Sequence, residues 1–180
     1  MATGKVRIIG GHWRSRLISF PQLPDLRPTA DRIRETLFNW LGQDLTGLSC
    51  LDLFSGSGVL GFEAASRGAD QVVMLENDDK AYQAMKHNKH YLQAEQIELI
   101  REDALHFLQR DPRRFDVIFV DPPYRLELLS QILSLLSLHL KEKGLVYLES
   151  NKQQVLGSEW RIKRQSKAGS VFYQLVELQG

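Results

Sequence analysis

Apolar and polar residues alternate in blocks along this chain. The apolar runs 50–54, 71–75, 97–100, 116–120 and 145–148 are each short enough to predict a buried strand. Between them lie stretches with helical spacing, at 59–67, 80–91, 104–109 and 126–140. Strand and helix therefore take turns, which implies a mostly parallel sheet with helices on both faces. The end breaks the rhythm. Runs 160–164 and 171–177 are joined only through Lys167-Ala168-Gly169-Ser170, too short for a helical crossover, and predict an antiparallel hairpin.

The start is different again. Two short extended pieces, 5–9 and 16–20, flank Gly10 and Gly11, which mark a turn. A proline-bearing loop runs from Pro21 to Pro28. A helix is expected to begin near Thr29, with Thr29 as its cap and Asp31 complementing its positive end. Ile33, Leu37, Trp40 and Leu41 recur at helical spacing and should face the core. The expected organisation is one domain over 1–180: a basic N-terminal extension, 1–28, and a catalytic core, 29–180.

Composition narrows the class. Of 180 residues, 43% are hydrophobic, an ordinary globular proportion. The net charge is only +1, yet residues 1–40 hold seven basic against three acidic side chains. Any nucleic-acid partner must then be held by a local patch. The single cysteine, Cys50, excludes an internal disulfide or a cysteine-rich metal site and fits a reducing, cytoplasmic setting. No apolar stretch is long enough to span a membrane, and the start lacks the apolar core of a secretion signal. His87 and His90 stand among lysines and are expected on a solvated helix face.

Chemistry enters with two motifs. Leu51-Asp52-Leu53-Phe54 runs into Ser55-Gly56-Ser57-Gly58-Val59-Leu60-Gly61, a G-x-G-x-x-G turn between a strand and a helix. Such a turn lets a ligand approach the backbone, and the helix start offers free N–H groups. Glu76, at the end of the next strand, is placed to accept the ribose hydroxyls of a nucleoside cofactor. Asp103 suits either an adenine amino group or the cap of the helix after it. The turn alone fits NAD, FAD or S-adenosylmethionine.

The second motif, Asp121-Pro122-Pro123-Tyr124, ends the fourth strand of the alternating region. An aromatic amine is a poor nucleophile because its lone pair is delocalised. Asp121 and the Pro122 carbonyl can accept its two hydrogens, Pro123 has no N–H to compete for acceptors, and Tyr124 can stack on the base. That favours methyl transfer to an exocyclic amine over hydride transfer or simple RNA binding. Amine methylation of adenine uses the same four residues and stays open.

Together these motifs, with Arg7-Ile8-Ile9-Gly10-Gly11, the stretch Arg27 to Asn39 and Ser66-Arg67-Gly68-Ala69, make the chain resemble the bacterial 16S ribosomal RNA guanine-N2 methyltransferase family of the RsmD type. The resemblance implies a Rossmann-like, seven-stranded methyltransferase fold whose last strand is antiparallel. It implies S-adenosylmethionine as donor and a guanine of 16S ribosomal RNA, in a small-subunit or assembly-intermediate particle, as target. The protein is then expected to be a cytoplasmic monomer without metal. The implied cofactor residues are Asp52, Phe54, Ser55, Gly56, Ser57, Gly58, Glu76, Asn77, Asp103 and Ala104, with Thr29 and Arg34 alongside. Asp121, Pro122, Pro123 and Tyr124 carry catalysis. Arg7, His12, Trp13, Arg14 and Arg16 interleave cations and rings and are expected to touch RNA.

Overall fold

The computed structural model describes residues 2–123 and 128–180. Its main body is a seven-stranded sheet. In chain order the elements are β1 (Thr3–Arg7), β2 (Leu17–Pro21), α1 (Asp31–Leu41), β3 (Ser49–Asp52), α2 (Val59–Ser66), β4 (Gln71–Leu75) and α3 (Asp79–Leu92). There follow β5 (Ile97–Ile100), α4 (Ala104–Arg110), β6 (Phe115–Val120), α5 (Leu129–Leu136), β7 (Leu140–Ser150), β8 (Trp160–Ala168) and β9 (Val171–Leu178). The strand order across the sheet is β5-β4-β3-β6-β7-β9-β8. The first five strands of that order run parallel, and β9 is antiparallel to both of its neighbours.

The chain reverses direction across the sheet at β3 and β6, which are parallel neighbours. In open α/β sheets such a switch point opens a crevice at the carboxyl ends of the strands. Side chains alternate across the sheet to fill two cores. Val117 and Phe119 of β6 join Phe38, Phe62 and Tyr147 on the face covered by α1 and α2. Ile118 and Val120 join Phe107 and Ile132 on the face covered by α4 and α5. Cys50 is fully buried in the first core, and burial, reinforced by Asp116 and Asp52, pushes its thiol up to about 12. It is therefore an inert packing residue.

Several boundaries differ from the sequence reading. The helix expected over 126–140 is α5, Leu129–Leu136, followed by a single 3-10 turn, Ser137–His139. Strand β7 starts at Leu140, not 145, because the register with β6 shifts between Phe115 and Val117, while Lys143 takes a positive φ. Thr29 does not cap α1. Ala30 holds the cap position and no side chain bonds the helix start. Of the four apolar residues expected inward on α1, Ile33 and Leu37 are buried, whereas Trp40 and Leu41 are half-buried, with Trp40 stacked on Tyr173.

The N-terminal segment forms a separate hairpin, β1 with β2. Its turn is locked to the far end of α2. His12 N–H donates to the Ser66 carbonyl at 2.7 Å, and Trp13 N–H donates to Ser66 Oγ at 2.9 Å. Gly11, at φ +76, lies so close that a Cβ there would sit 2.0 Å from the Ser66 carbonyl oxygen. Arg34 ties hairpin, α1 and α2 together. Its guanidinium is fully buried and donates to the carbonyls of Thr29 and Arg7, each at 2.8 Å, and to Glu63 Oε1 at 2.6 Å. Arg67 approaches the same carboxylate at 3.3 Å from Oε2 and lies over the Phe38 ring.

Removing one partner of a buried ion pair leaves an uncompensated charge, at a cost of about 3–5 kcal/mol. Glu63→Ala is therefore expected to lower unfolding free energy in urea by about that amount. A loss below about 1 kcal/mol, as an exposed pair would give, would show that this carboxylate is not what holds the three elements together.

Candidate active site

Strand β3 ends at Asp52, and the chain turns sharply before α2. Gly56 and Gly58 both sit at positive φ, +56 and +84. Above Gly56 there is open space, since an added Cβ would meet only Leu26 at 3.8 Å. Gly58 is tight. A Cβ there would approach Phe62 to 2.8 Å and Met74 to 3.0 Å. Ser55 N–H donates to the Leu75 carbonyl, which draws the turn over the end of β4.

Glu76 follows directly on β4. Its Oε2 accepts the Gly56 N–H at 2.7 Å, and its Oε1 accepts the Asp78 N–H at 2.9 Å. A carboxylate has about four acceptor positions, and the backbone N–H groups of Gly56, Asn77 and Asp78 leave Glu76 acceptor capacity for a ribose hydroxyl. Burial raises this carboxyl from its ordinary value, against those backbone bonds. Asn77 is exposed beside it. Asp103 caps α4, accepting the His106 N–H at 3.1 Å, and remains exposed at the rim with Ala104 buried behind it. The cap reading of Asp103 is met, and it uses only one carboxylate oxygen. Glu76 and Asp103 follow neighbouring parallel strands, β4 and β5, on the side of the glycine turn. The open turn, the twin-acceptor Glu76 and the rim carboxylate of Asp103 fit an adenosine-bearing cofactor.

The second half of the site lies on β6 and β7. Asp52 pairs in register with Phe119, and Leu53 N–H donates to the Phe119 carbonyl at 3.1 Å. Asp121 therefore emerges on the same rim as the glycine turn. Pro122 is buried and Pro123 half-buried. Tyr124, expected to stack on the target base, lies outside the described residues. Val120 pairs with Leu148, so Asp121 stands abreast of Glu149. The Tyr147 hydroxyl donates to Glu149 Oε2 at 2.8 Å.

This rim concentrates negative charge. Asp52 is buried and its pKa is raised to about 7, mainly by desolvation, although the Ser55 hydroxyl and the Gly61 N–H bond to it. Asp121 is raised well above the usual range, first by burial and then by the negative charges of Glu149 and Asp52. A hydrogen bond from Thr29 opposes that shift. Thr29 thus serves Asp121, which explains why it leaves the helix cap. Glu149 was missed from the sequence. Its signal was the one that marked Glu76, an acid closing a buried strand.

Four expected site residues lie elsewhere. Arg34 is walled in by its protein partners and shapes the Thr29 loop from behind, so it has no free donor face toward the cofactor. Trp13 is 6% exposed and packs in the main core, so it cannot stack on RNA. His12 and Arg14 are exposed, but their turn sits at the C-terminal end of α2, a helix whose N-terminal end carries Gly58. They are at the opposite rim from Asp121. Arg7 and Arg16 are exposed on the hairpin.

With this geometry in place, relatives can be compared. The family model described as "Conserved hypothetical protein 95" matches residues 6–177. The chain belongs to this family. It is 39% identical to "Ribosomal RNA small subunit methyltransferase D" of Escherichia coli (strain K12), over 97% of this chain and 91% of that protein. It is 41% identical to the protein of the same name in Haemophilus influenzae, over 98% and 95%. The solved structure titled "Putative methyltransferase yhhF from Escherichia coli" superimposes with a TM-score of 0.88 at 39% identity, covering 98% of this chain and 99% of that one. The chain is accordingly a methyltransferase of that family. Among the described residues, no helix is long and apolar enough to cross a membrane.

Asp52 offers a direct test of the site electrostatics. Its folded pKa lies above its unfolded value, so the folded state holds its proton longer, and stability falls as pH rises from about 4 to 7. Asp52→Asn removes that loss. The variant should gain on the wild type across this window, by up to about 4 kcal/mol, in urea unfolding at pH 4.5 and 8. Parallel pH profiles for the two proteins would contradict the assigned burial effect.

Proposed function

We propose that the protein transfers a methyl group from S-adenosylmethionine to the exocyclic N2 amino group of a guanine in 16S ribosomal RNA. The carrying observation is that Asp121 and the glycine turn share one rim, with Asp52 close enough to influence the Asp121 carboxyl. Thr29, Phe54, Ser55, Gly56, Ser57 and Gly58 line the methionine end of the cofactor site in this reading. Glu76 with Asn77 serves the ribose, and Asp103 with Ala104 the adenine. Their chemistry supports these roles: open backbone at a helix start, paired acceptors, then a rim acceptor.

The bound donor supplies an electrophilic methyl carbon on a positively charged sulfur. This chain supplies the rest. Asp121 and the Pro122 carbonyl each accept one hydrogen of the target amine, which localises density on nitrogen and aims its lone pair across the rim toward β3. Pro122 and Pro123 hold those acceptors in a stiff, extended backbone. The crowding of Asp52, Asp121 and Glu149 favours a cationic ligand, since a positive charge beside them stabilises their ionised forms. Stacking on the base is the role this reading gives Tyr124 from the sequence, and Asp121 stands ready to take the proton that the methylated nitrogen releases. The rate then rests on positioning and fixed electrostatics.

The substrate in this reading is RNA of a small-subunit or assembly-intermediate particle, met by a monomer in the cytoplasm. Incubating the protein with labelled methyl donor and particles lacking the modification, then mapping the label by mass, tests donor, base and atom together. Label on an adenine would replace the guanine assignment. Asp121→Ala is expected to reduce turnover by at least about 100-fold while S-adenosylmethionine still raises the melting temperature. Turnover within a few-fold of wild type would remove Asp121 from catalysis.

A further inference from the structure

One marked concavity lies away from the active site. It is an open groove of about 1040 Å³ between the outer side of α3 and the edge strand β5. Tyr82, Lys86 and Lys89 line it at positions i, i+4 and i+7 of α3, which place them on one stripe. His90 and Tyr91 close its lower end. Tyr91 is 54% exposed, and the Arg16 guanidinium of the hairpin lies over its ring, 5.6 Å from the centroid.

The charge here is uncompensated. Several cations elsewhere are neutralised locally: Arg101 pairs with Asp79, Arg113 with Glu98 and Asp111, and Lys141 with Asp116. Lys86, Lys89 and Arg16 form no ion pair among the described residues. Glu95 is the only acid among the residues lining the groove. The carbonyls of the last turn of α3 do not repel an anion freely, because the Gln93 and Ala94 N–H groups occupy those of His90 and Lys89. In a protein of net charge +1, these cations beside two tyrosine rings form a local positive field.

We propose that this groove docks a stretch of RNA backbone remote from the nucleotide being methylated. Cations along a helix stripe meet phosphates, while the exposed Tyr91 ring meets sugars and unstacked bases. Helix α3 starts at the catalytic rim and runs 14 residues away from it, roughly 20 Å, so the groove, which opens at Tyr82 in the first turn, carries its lysines and Tyr91 progressively away from a nucleotide seated at Asp121. Only a substrate extending well past its target base fills both places. The inference rests on the RNA-methylating reading above and adds a second contact region to it. It also gives the hairpin a role that its distance from Asp121 otherwise denies it, since Arg16 flanks the groove.

The test is a pair of variants, Lys86→Glu with Lys89→Glu, and Lys86→Gln with Lys89→Gln. Binding of a fluorescent small-subunit RNA fragment is followed by anisotropy across a salt series, beside methyl transfer to whole particles. Each phosphate-contacting lysine removed should flatten the slope of log affinity against log salt by about one, so both variants should lose about two. KM for particles should rise about tenfold at low salt, with kcat unchanged. The melting-temperature rise on adding S-adenosylmethionine should match wild type, which checks the fold. If wild type transfers no methyl, the functional reading fails whatever the variants do. If wild type is active and the variants keep its salt slope and KM, the groove proposal alone is overturned.

Discussion

Everything at the rim depends on the parallel pairing of β3 with β6. Parallel neighbours end on the same side of a sheet, so the glycine turn after Asp52 and the proline loop after Val120 must face one crevice. The pairing also fixes register, Asp52 against Phe119, which brings Asp121 abreast of Phe54 at the entry to the glycine turn. A slip of one residue would reverse every side chain on β6 and put Val117 and Phe119 in the wrong core. The two cores thus enforce the alignment that the chemistry needs.

The same constraint makes the site electrostatically tense. Three acids close β3, β6 and β7 side by side; Asp52 and Glu149 are buried and Asp121 is half-buried between them, which leaves them little water to share. A fold built for stability alone would not gather them. The arrangement makes sense where the ligand carries positive charge and the substrate offers hydrogens to accept. Behind the rim, Arg34 and Glu63 do the opposite work. They neutralise one another inside the protein and hold the Thr29 loop, from which one hydrogen bond reaches Asp121. The buried ion pair is thus part of the support for the Asp121 carboxyl.

Much of this was legible in the chain. The apolar runs at 71–75 and 97–100 fixed β4 and β5 to the residue, because a buried parallel strand reads as continuous hydrophobicity bounded by polar loops. The G-x-G-x-x-G turn and Glu76 were readable because strand, turn and acid follow in sequence. The extent of β7 was not readable, since its first residues pair through a register shift that depends on β6. Glu149 and Thr29 were missed as partners of Asp121 because each reaches it only through strand pairing or a loop return.

Local chemistry determined which residues were available: glycines that admit positive φ, acids that end strands, prolines that stiffen a loop, cations gathered early in the chain. Those properties belong to a residue and its near neighbours, and the sequence carries them in full. Tertiary structure decided which of them meet. It buried Trp13, walled in Arg34 and set the hairpin turn against the far end of α2. Such outcomes are set by long-range packing, where a ring or guanidinium goes where burial and partners are found across the fold, and no local pattern encodes that.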